Sequence, residues 1–344
     1  MTPNLIKSSY PTRQPRFSVV IPNMNGADTL RETLEAIFST GYQDLEVIVV
    51  DDASTDSSAL IAEEFPVRLL RHKLCRGAAA SRNDGAAAAR GEIIIFIDSD
   101  VIIPPDTIRI IERDLTDPAV SGVIGLFRPG TRYKGFCSGY KNFYMHYTYQ
   151  KLPERVQVFF TSIAAIRKEI FDRSGGFDTA YRGSSIEDME FGLRITESGH
   201  QILLDQNLQV EHLKQYNLAN LIKTGFLRAS GVTKIILRDR FRRKKSGIYH
   251  TAPASFVGGI ILAGGILLLL AGGIVSGSIY LYLAALICYI VMITVNAGFL
   301  ISLARHTHLT YFLRGGGIIF IDLLGHGLGI ISGIAAYLIK GGKY

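Results

Sequence analysis

The stretch GEIIIFIDSDV, residues 91–101, decides the fold. Ile93 to Ile97 are apolar without a break and run directly into Asp98-Ser99-Asp100. A short apolar run bounded by polar residues reads as a strand buried on both faces. Working back toward the N-terminus, a helix is expected over Ala78–Arg90, a strand at VRLL (67–70), and a helix from near Ser54 to just before Pro66. LEVIVV (45–50) is a further buried strand ending at Asp51-Asp52, and FSVVIP (17–22) is the first strand, followed by an amphipathic segment to Phe38. Strands and helices alternating at this spacing predict an α/β fold with a mostly parallel sheet. Ligands of such sheets sit at the carboxyl ends of the strands. Asp52, Asp98 and Asp100 are therefore expected to share one crevice.

Asp98 and Asp100 put two hard oxygen donors on one turn, a donor set suited to Mg²⁺ or Mn²⁺. Such an ion completes its shell with water and substrate phosphates. D-x-D alone is a common solvated turn; its place after five apolar residues is what favours the chemical reading. The early strand–helix turns carry neither a P-loop nor a G-x-G-x-x-G fingerprint, which counts against ATPase and dehydrogenase chemistry.

Four segments in order, FSVVIPNMNGADTLRETLEAI (17–37), EVIVVDDASTDSS (46–58), GAAASRNDGAAAARGEIIIFIDSDV (77–101) and GGFDTAYRGSSIEDMEFGLRITESGH (175–200), resemble glycosyltransferase family 2, whose fold is GT-A. The resemblance covers residues 16–213. It implies that Asp52 hydrogen-bonds the nucleotide base and that Pro22 and Asn25 form the first nucleotide-binding turn. Met24 stands where many relatives place a base-stacking aromatic. Arg82 matches the basic residue beside the nucleotide and diphosphate, Asp98 the ribose- or metal-facing acid, and Asp100 the metal ligand. Glu187-Asp188 matches the acceptor-side acidic pair, with Asp188 as general base; three acids at 187, 188 and 190 also suit a helix N-terminus. His212 resembles a late histidine facing metal or diphosphate, and a structural histidine is the alternative.

The composition divides the chain in two. Residues 246–344 hold five charged side chains, Arg305, Arg314, Asp322, Lys340 and Lys343, out of 37 Lys+Arg and 30 Asp+Glu in 344 residues. One part is built for water and the other for lipid. Three spans are expected: Pro253–Val275, Ser278–Ala304 and Gly315–Ile339, the last interrupted by Asp322 and His326. The expected domains are an N-terminal extension (1–15), the transferase domain (16–214), interfacial helices with a basic juxtamembrane segment (215–250), and a transmembrane domain (251–344). Arg238, Arg240, Arg242, Arg243, Lys244 and Lys245 precede the first span, which places the large domain in the cytoplasm of a multi-pass inner-membrane protein. Three scattered cysteines agree with a reducing compartment. A net charge of +7 gives no case for nucleic acid as a partner.

Several features leave alternatives open. Asp322 and His326 share one helix face, either as a functional intramembrane pair or as a mutually bonded one. Gly325, Gly329 and Gly333 make a small-residue face that would admit a second copy, so a homo-oligomer is possible. Seven aromatics within residues 133–149 suit either a helix under lipid headgroups or one packed on a core. Leu218–Leu237 is another candidate for the membrane surface. The expected activity is inverting transfer of a sugar from a nucleotide-sugar, UDP-sugar favoured, to a hydroxyl on a lipid-linked saccharide or glycolipid in cell-envelope glycan synthesis. Q-x-x-R-W of processive synthases is missing; the comparable region, TGFLRASG (224–231), offers Arg228. A polyprenyl-phosphate acceptor, a silent membrane scaffold or flippase partner, and a transporter are the competing readings.

Overall fold

The structure is a computed structural model and describes residues 14–181, 186–242 and 253–339. It forms two compact units, Met1–Arg128 with Leu152–Lys214, and Pro129–Lys151 with Gln215–Tyr344. The N-terminal segment 1–13, the basic residues Arg243, Lys244 and Lys245, and Lys340 and Lys343 fall outside the described residues.

The first unit opens with β1 (Phe17–Asn23), α1 (Leu30–Ser39), β2 (Leu45–Asp51), α2 (Ser58–Glu63), β3 (Arg68–Arg71), α3 (Ala78–Ala88) and β4 (Ile93–Ile97). The sequence boundaries hold to within one residue, except that α2 starts later than Ser54 and stops at Glu63, and α3 ends two residues before Arg90. There follow β5 (Val101–Ile102), α4 (Thr107–Asp114) and β6 (Val120–Phe127). After a departure into the second unit come β7 (Arg155–Val156), β8 (Ile163–Arg167), α6 (Lys168–Arg173), α7 (Glu187–Glu197) and β9 (Gln201–His212), α5 being reserved for the helix between β6 and β7. The sheet order is β3-β2-β1-β4-β8-β6-β9-β5, with β7 paired to β9. β3, β2, β1 and β4 are all parallel, and β8 runs antiparallel to both β4 and β6. β1 therefore lies between β2 and β4, the point where successive crossovers turn to opposite sides. A crevice forms at the strand carboxyl ends of such a switch point. Val19–Ile21, Val47–Val50 and Ile93–Ile97 are buried, so these strands read as unbroken apolar runs. α3 is alanine-rich because it lies flat on the sheet: a Cβ on Gly85 would come within 2.3 Å of Val20 Cγ1.

The second unit is helical: α5 (Phe136–Gln150), α8 (Leu218–Arg242), α9 (Ala254–Ser276), α10 (Ile279–Val295), α11 (Ala297–His306) and α12 (Leu309–Ile339). Tyr140, Phe143, Tyr144 and Tyr147 of α5 are buried in its core with Phe256, Phe299, Ile319 and Leu323. Phe299 is the hub, its ring 5.2 Å from Tyr147, 5.3 Å from Phe256 and 5.6 Å from Tyr140. The aromatic stripe thus packs on a core, and that core belongs to the helical unit rather than to the sheet.

Two helices, α9 and α12, are long and apolar enough to cross a membrane. The expected middle span is not one helix: α10 and α11 meet at Asn296 with a 57° bend, and count as a third span only together. Asn296 is buried and its Nδ2 donates to Met292 O at 2.9 Å. An asparagine that competes for a carbonyl of the preceding turn weakens the helix there.

The glycine face of α12 is occupied within the chain. Gly325 meets Ile222, Gly329 meets Phe226 and Gly333 meets Ser230, so contact advances by four residues on both helices and α8 runs parallel to α12. This face gives no support to a second copy, because α8 covers it. α8 is thereby a packed helix along the stretch read as a membrane-surface segment. A Cβ on Gly329 would lie 2.3 Å from Phe226 O, whereas one on Gly317 meets nothing within 4 Å. Gly329→Val is expected to cost about 1–3 kcal/mol by forcing the helices apart. Thermal unfolding in detergent checks this, with Gly317→Ala as control; equal midpoints for the two variants would refute the packing.

Asp322 is fully buried, accepts a hydrogen bond from the Tyr140 hydroxyl at 3.0 Å, and lies 3.4 Å from His326 Nδ1. His326 Nδ1 also bonds Asp322 O at 2.7 Å. The imidazole thus bonds the Asp322 carbonyl and stands beside its carboxylate, and Tyr140 of α5 joins the pair.

Candidate active site

The loop after β1 and the loop after β2 are stapled to each other. Ser54 Oγ accepts from Asn25 N at 2.9 Å, Asn25 Oδ1 accepts from Thr55 N at 2.8 Å, and Asp56 Oδ2 accepts from Ala27 N at 3.0 Å. Asn25 and Ala53 both take positive φ, 53° and 61°. Asparagine tolerates that region, but alanine pays about 1–2 kcal/mol there. Such strain gathers where a turn must aim a side chain. Ala53 follows Asp52 directly, and Pro22 pairs with Val50 across β1 and β2, so both loops leave the sheet side by side.

Asp52 is 3% exposed, and both carboxylate oxygens are engaged. Oδ1 receives His72 Nδ1 at 2.7 Å and Arg76 N at 2.8 Å; Oδ2 receives Gly77 N at 2.7 Å and the Cys75 thiol at 3.3 Å. His72 Nε2 in turn lies 2.9 Å from Asp84 Oδ2. Burial alone would raise the Asp52 carboxyl, but His72, the two backbone N–H groups and Cys75 outweigh it and hold it below its ordinary range. The sign follows from linkage. A carboxyl lowered on folding contributes stability that is full above its unfolded pKa, about 3.9, and is lost as pH falls through the folded value. Asp52→Asn should therefore flatten the acid side of the stability profile, measured by thermal unfolding at roughly pH 3 to 5. Parallel decline of variant and wild type would count against it.

Arg82 is the centre of a buried ionic cluster. Rising from α3, it is 5% exposed and donates to Asp98 Oδ1 at 2.8 Å and to Glu187 Oε1 at 2.9 Å. Burial lowers its pKa, but Asp98, Glu187 and Asp188 outweigh that and raise it, so it stays charged. Ser162 Oγ donates to Asp98 Oδ2 at 2.7 Å. The resemblance implies Arg82 beside the nucleotide and diphosphate and Asp98 facing ribose or metal; the structure joins the two to each other and to Glu187. Glu187 and Asp188 open α7, both buried, and Asp188 Oδ1 accepts from Met189 N at 2.7 Å.

Asp100 points elsewhere on the same turn. The β5–β9 ladder pairs Val101 with His212, and Leu213 N donates to Asp100 O at 2.7 Å. This brings Asp100 Oδ2 to 3.4 Å from His212 Nε2. Burial would raise Asp100, but the hydrogen bond and charge of His212, with Lys214, hold it below its ordinary range. Two further contacts were not legible in the sequence. Thr29 and Thr33 hydroxyls both donate to Ser99 O, at 2.8 and 3.0 Å, pinning the D-S-D turn to α1. The Phe127 ring stacks on His212 at 4.3 Å and 7°, fixing the imidazole plane.

The chemistry of this set fits a divalent ion. Asp98, Asp100, Glu187 and Asp188 bring four carboxylates to one guanidinium and one imidazole. An anionic diphosphate enters such a crevice with a cation beside it. Asp100 and His212 offer one oxygen and one nitrogen, leaving positions for diphosphate oxygens and water, a donor set that suits Mn²⁺ or Mg²⁺. Among the described residues, no group of three His, Cys, Asp or Glu side chains is arranged to hold an ion.

Comparison with known proteins bears on the family and the fold. Residues 18–175 match the sequence profile described as Glycosyl transferase family 2. Glycosyltransferase GlyG of Streptococcus pneumoniae is 35% identical over 139 residues, 39% of this chain and 44% of that protein. The UDP-Glc:alpha-D-GlcNAc-diphosphoundecaprenol beta-1,3-glucosyltransferase WfaP of Escherichia coli is 35% identical over 86 residues, 24% of this chain and 34% of that protein. This chain thus spans less than half the length of either relative. A mannosyltransferase from Pyrobaculum calidifontis, PcManGT, solved with GDP-Man and Mn²⁺, superposes with a TM-score of 0.56 at 23% identity, covering 96% of this chain and 88% of that one. At that identity the likeness is one of fold.

Proposed function

We propose, from the premise that this chain is a family 2 glycosyltransferase of the GT-A fold, that it is a metal-dependent, membrane-bound inverting enzyme. It transfers a sugar from a nucleotide-sugar to a hydroxyl of a lipid-linked saccharide or glycolipid in cell-envelope glycan synthesis. The observation that carries this reading is the Arg82 bridge. Its bonds of 2.8 and 2.9 Å hold Asp98, from the donor side of the sheet, against Glu187, which opens the helix carrying Asp188. Donor and acceptor chemistry then meet in one crevice.

The residues divide the work as follows. The stapled loops of Pro22, Asn25 and Asp52 receive the nucleoside. Asp100 and His212 would hold Mn²⁺ or Mg²⁺, which would supply positive charge for the diphosphate leaving group. Arg82 fixes the carboxylates on either side of the reacting carbon. Asp188 takes the acceptor's hydroxyl proton as that oxygen attacks the anomeric carbon from the face opposite the diphosphate. A hydroxyl acceptor needs this base, whereas an ionised phosphate has no such proton to lose. Two apolar helices, or three with the bent pair, supply the membrane, with the catalytic unit on the cytoplasmic side. The relative from Escherichia coli is named for a diphosphoundecaprenol-linked acceptor, which supports a lipid-borne acceptor here.

The test is nucleotide release by the full chain in detergent, from UDP-, GDP- and dTDP-sugars with Mn²⁺ or Mg²⁺, with and without native lipid extract. Release that rises with lipid and vanishes in Asp100→Asn is expected. No release from any donor would return the silent scaffold to the front.

A further inference from the structure

Two sulfur side chains lie beside Asp52. Cys75 is exposed, and its Sγ lies 3.3 Å from Asp52 Oδ2 and 3.6 Å from Met24 Sδ. Met24 is itself 53% exposed, at the position where the resemblance would place a stacking aromatic. The thiol has one hydrogen to donate, and of its two neighbours the anionic carboxylate is the stronger acceptor. The other three donors to Asp52 cannot readily leave. Arg76 N and Gly77 N belong to the turn's backbone, and His72, with a side chain 4% exposed, is held from behind by Asp84. Cys75 is the weak donor of the four and the one at the surface.

We infer that the Cys75 thiol caps the Asp52 carboxylate and is the donor that an incoming nucleobase displaces. The inference rests on the proposed nucleotide-sugar reading of this site. It sets the base class. Uracil, thymine and guanine each carry a ring N–H beside a carbonyl, and that N–H replaces S–H with a stronger, charge-assisted bond. Adenine and cytosine present a ring nitrogen lone pair instead, which the carboxylate repels. Met24, exposed beside Cys75, would offer the base face an unbranched thioether in place of an aromatic ring. Asp52 therefore selects the base class, and Cys75 tunes how tightly that class binds. The Cys75 side chain governs how much of Asp52 is free before the base arrives.

Calorimetric titration of the full chain in detergent with Mn²⁺ and UDP, GDP, dTDP, ADP or CDP tests this on wild type, Cys75→Ala and Cys75→Ser. Alanine uncaps Asp52 and should tighten the best-bound nucleotide by roughly two- to fivefold. Serine donates a stronger O–H bond to the same oxygen and should weaken that nucleotide by roughly the same factor. The opposite signs separate capping from mere loss of packing, which would weaken binding in both variants. ADP and CDP should bind most weakly to all three proteins. Equal affinities across the three proteins, weakening in both variants, or ADP or CDP binding as tightly as UDP would overturn the inference and leave the transferase reading standing. If wild type binds no nucleotide at all, both readings fall.

Discussion

Asp188→Asn is expected to lower kcat by roughly 10²- to 10⁴-fold while the donor KM stays near the wild-type value. Asparagine keeps the shape of the side chain and can still accept a hydrogen bond, as Asp188 Oδ1 does from Met189 N at 2.7 Å. It cannot take a proton. The residues proposed to bind the donor, Asp52 and the turn bearing Asp100, belong to other elements, so donor binding should be spared. A loss confined to kcat marks an interaction made only in the transition state. Activity that survives Asp188→Asn but disappears in Asp100→Asn would move the acceptor from a hydroxyl to a phosphate. A matched rise in donor KM would instead assign Asp188 to donor binding and remove it as the base.

Arg82→Met should destabilise the first unit by about 3–5 kcal/mol and abolish activity with it. The side chains of Arg82 and Glu187 are 6% and 8% exposed, and that of Asp98 is 26% exposed. Methionine fills much of the volume but leaves two carboxylates facing each other without a cation, and the cost of that unpaired charge exceeds the worth of the pair. Arg82→Lys provides the contrast. It keeps the charge yet cannot bridge two carboxylates with a planar fork, so it should recover much of the stability and little of the activity. Thermal unfolding and turnover measured on the same samples decide it. A methionine variant as stable as wild type would show that the bridge is not a fastening of the fold.

Much of the first unit was legible because its strands are buried on both faces. Phe17–Pro22, Leu45–Val50 and Ile93–Ile97 are written as apolar runs, and each ends where a loop bears polar chemistry. The reversal at β8 was not legible, since IAAIR has the same apolar signature whichever way it points. The spans of the second unit were legible by length and hydropathy. The break at Asn296 was not, because one asparagine in an apolar segment carries no sign of the turn it will make. Nor was the partner of the glycine face: small residues announce close approach, and here the approaching helix is α8 of the same chain.

The candidate site divides along the same line. The sequence by itself determined which residue types stand at the strand ends: Asp52, Asp98 and Asp100 after buried strands, Glu187 and Asp188 at a helix start. That follows from local periodicity, which each segment carries alone. Only the tertiary structure decided their partners. Arg82 is committed to Asp98 and Glu187, Asp100 to His212, and Asp52 to His72, Arg76, Gly77 and Cys75. Burial is what makes those pairings obligatory. A charge removed from water must find an opposite charge or a hydrogen-bond donor nearby, and which one lies nearby depends on strand order and register rather than on neighbours in the chain.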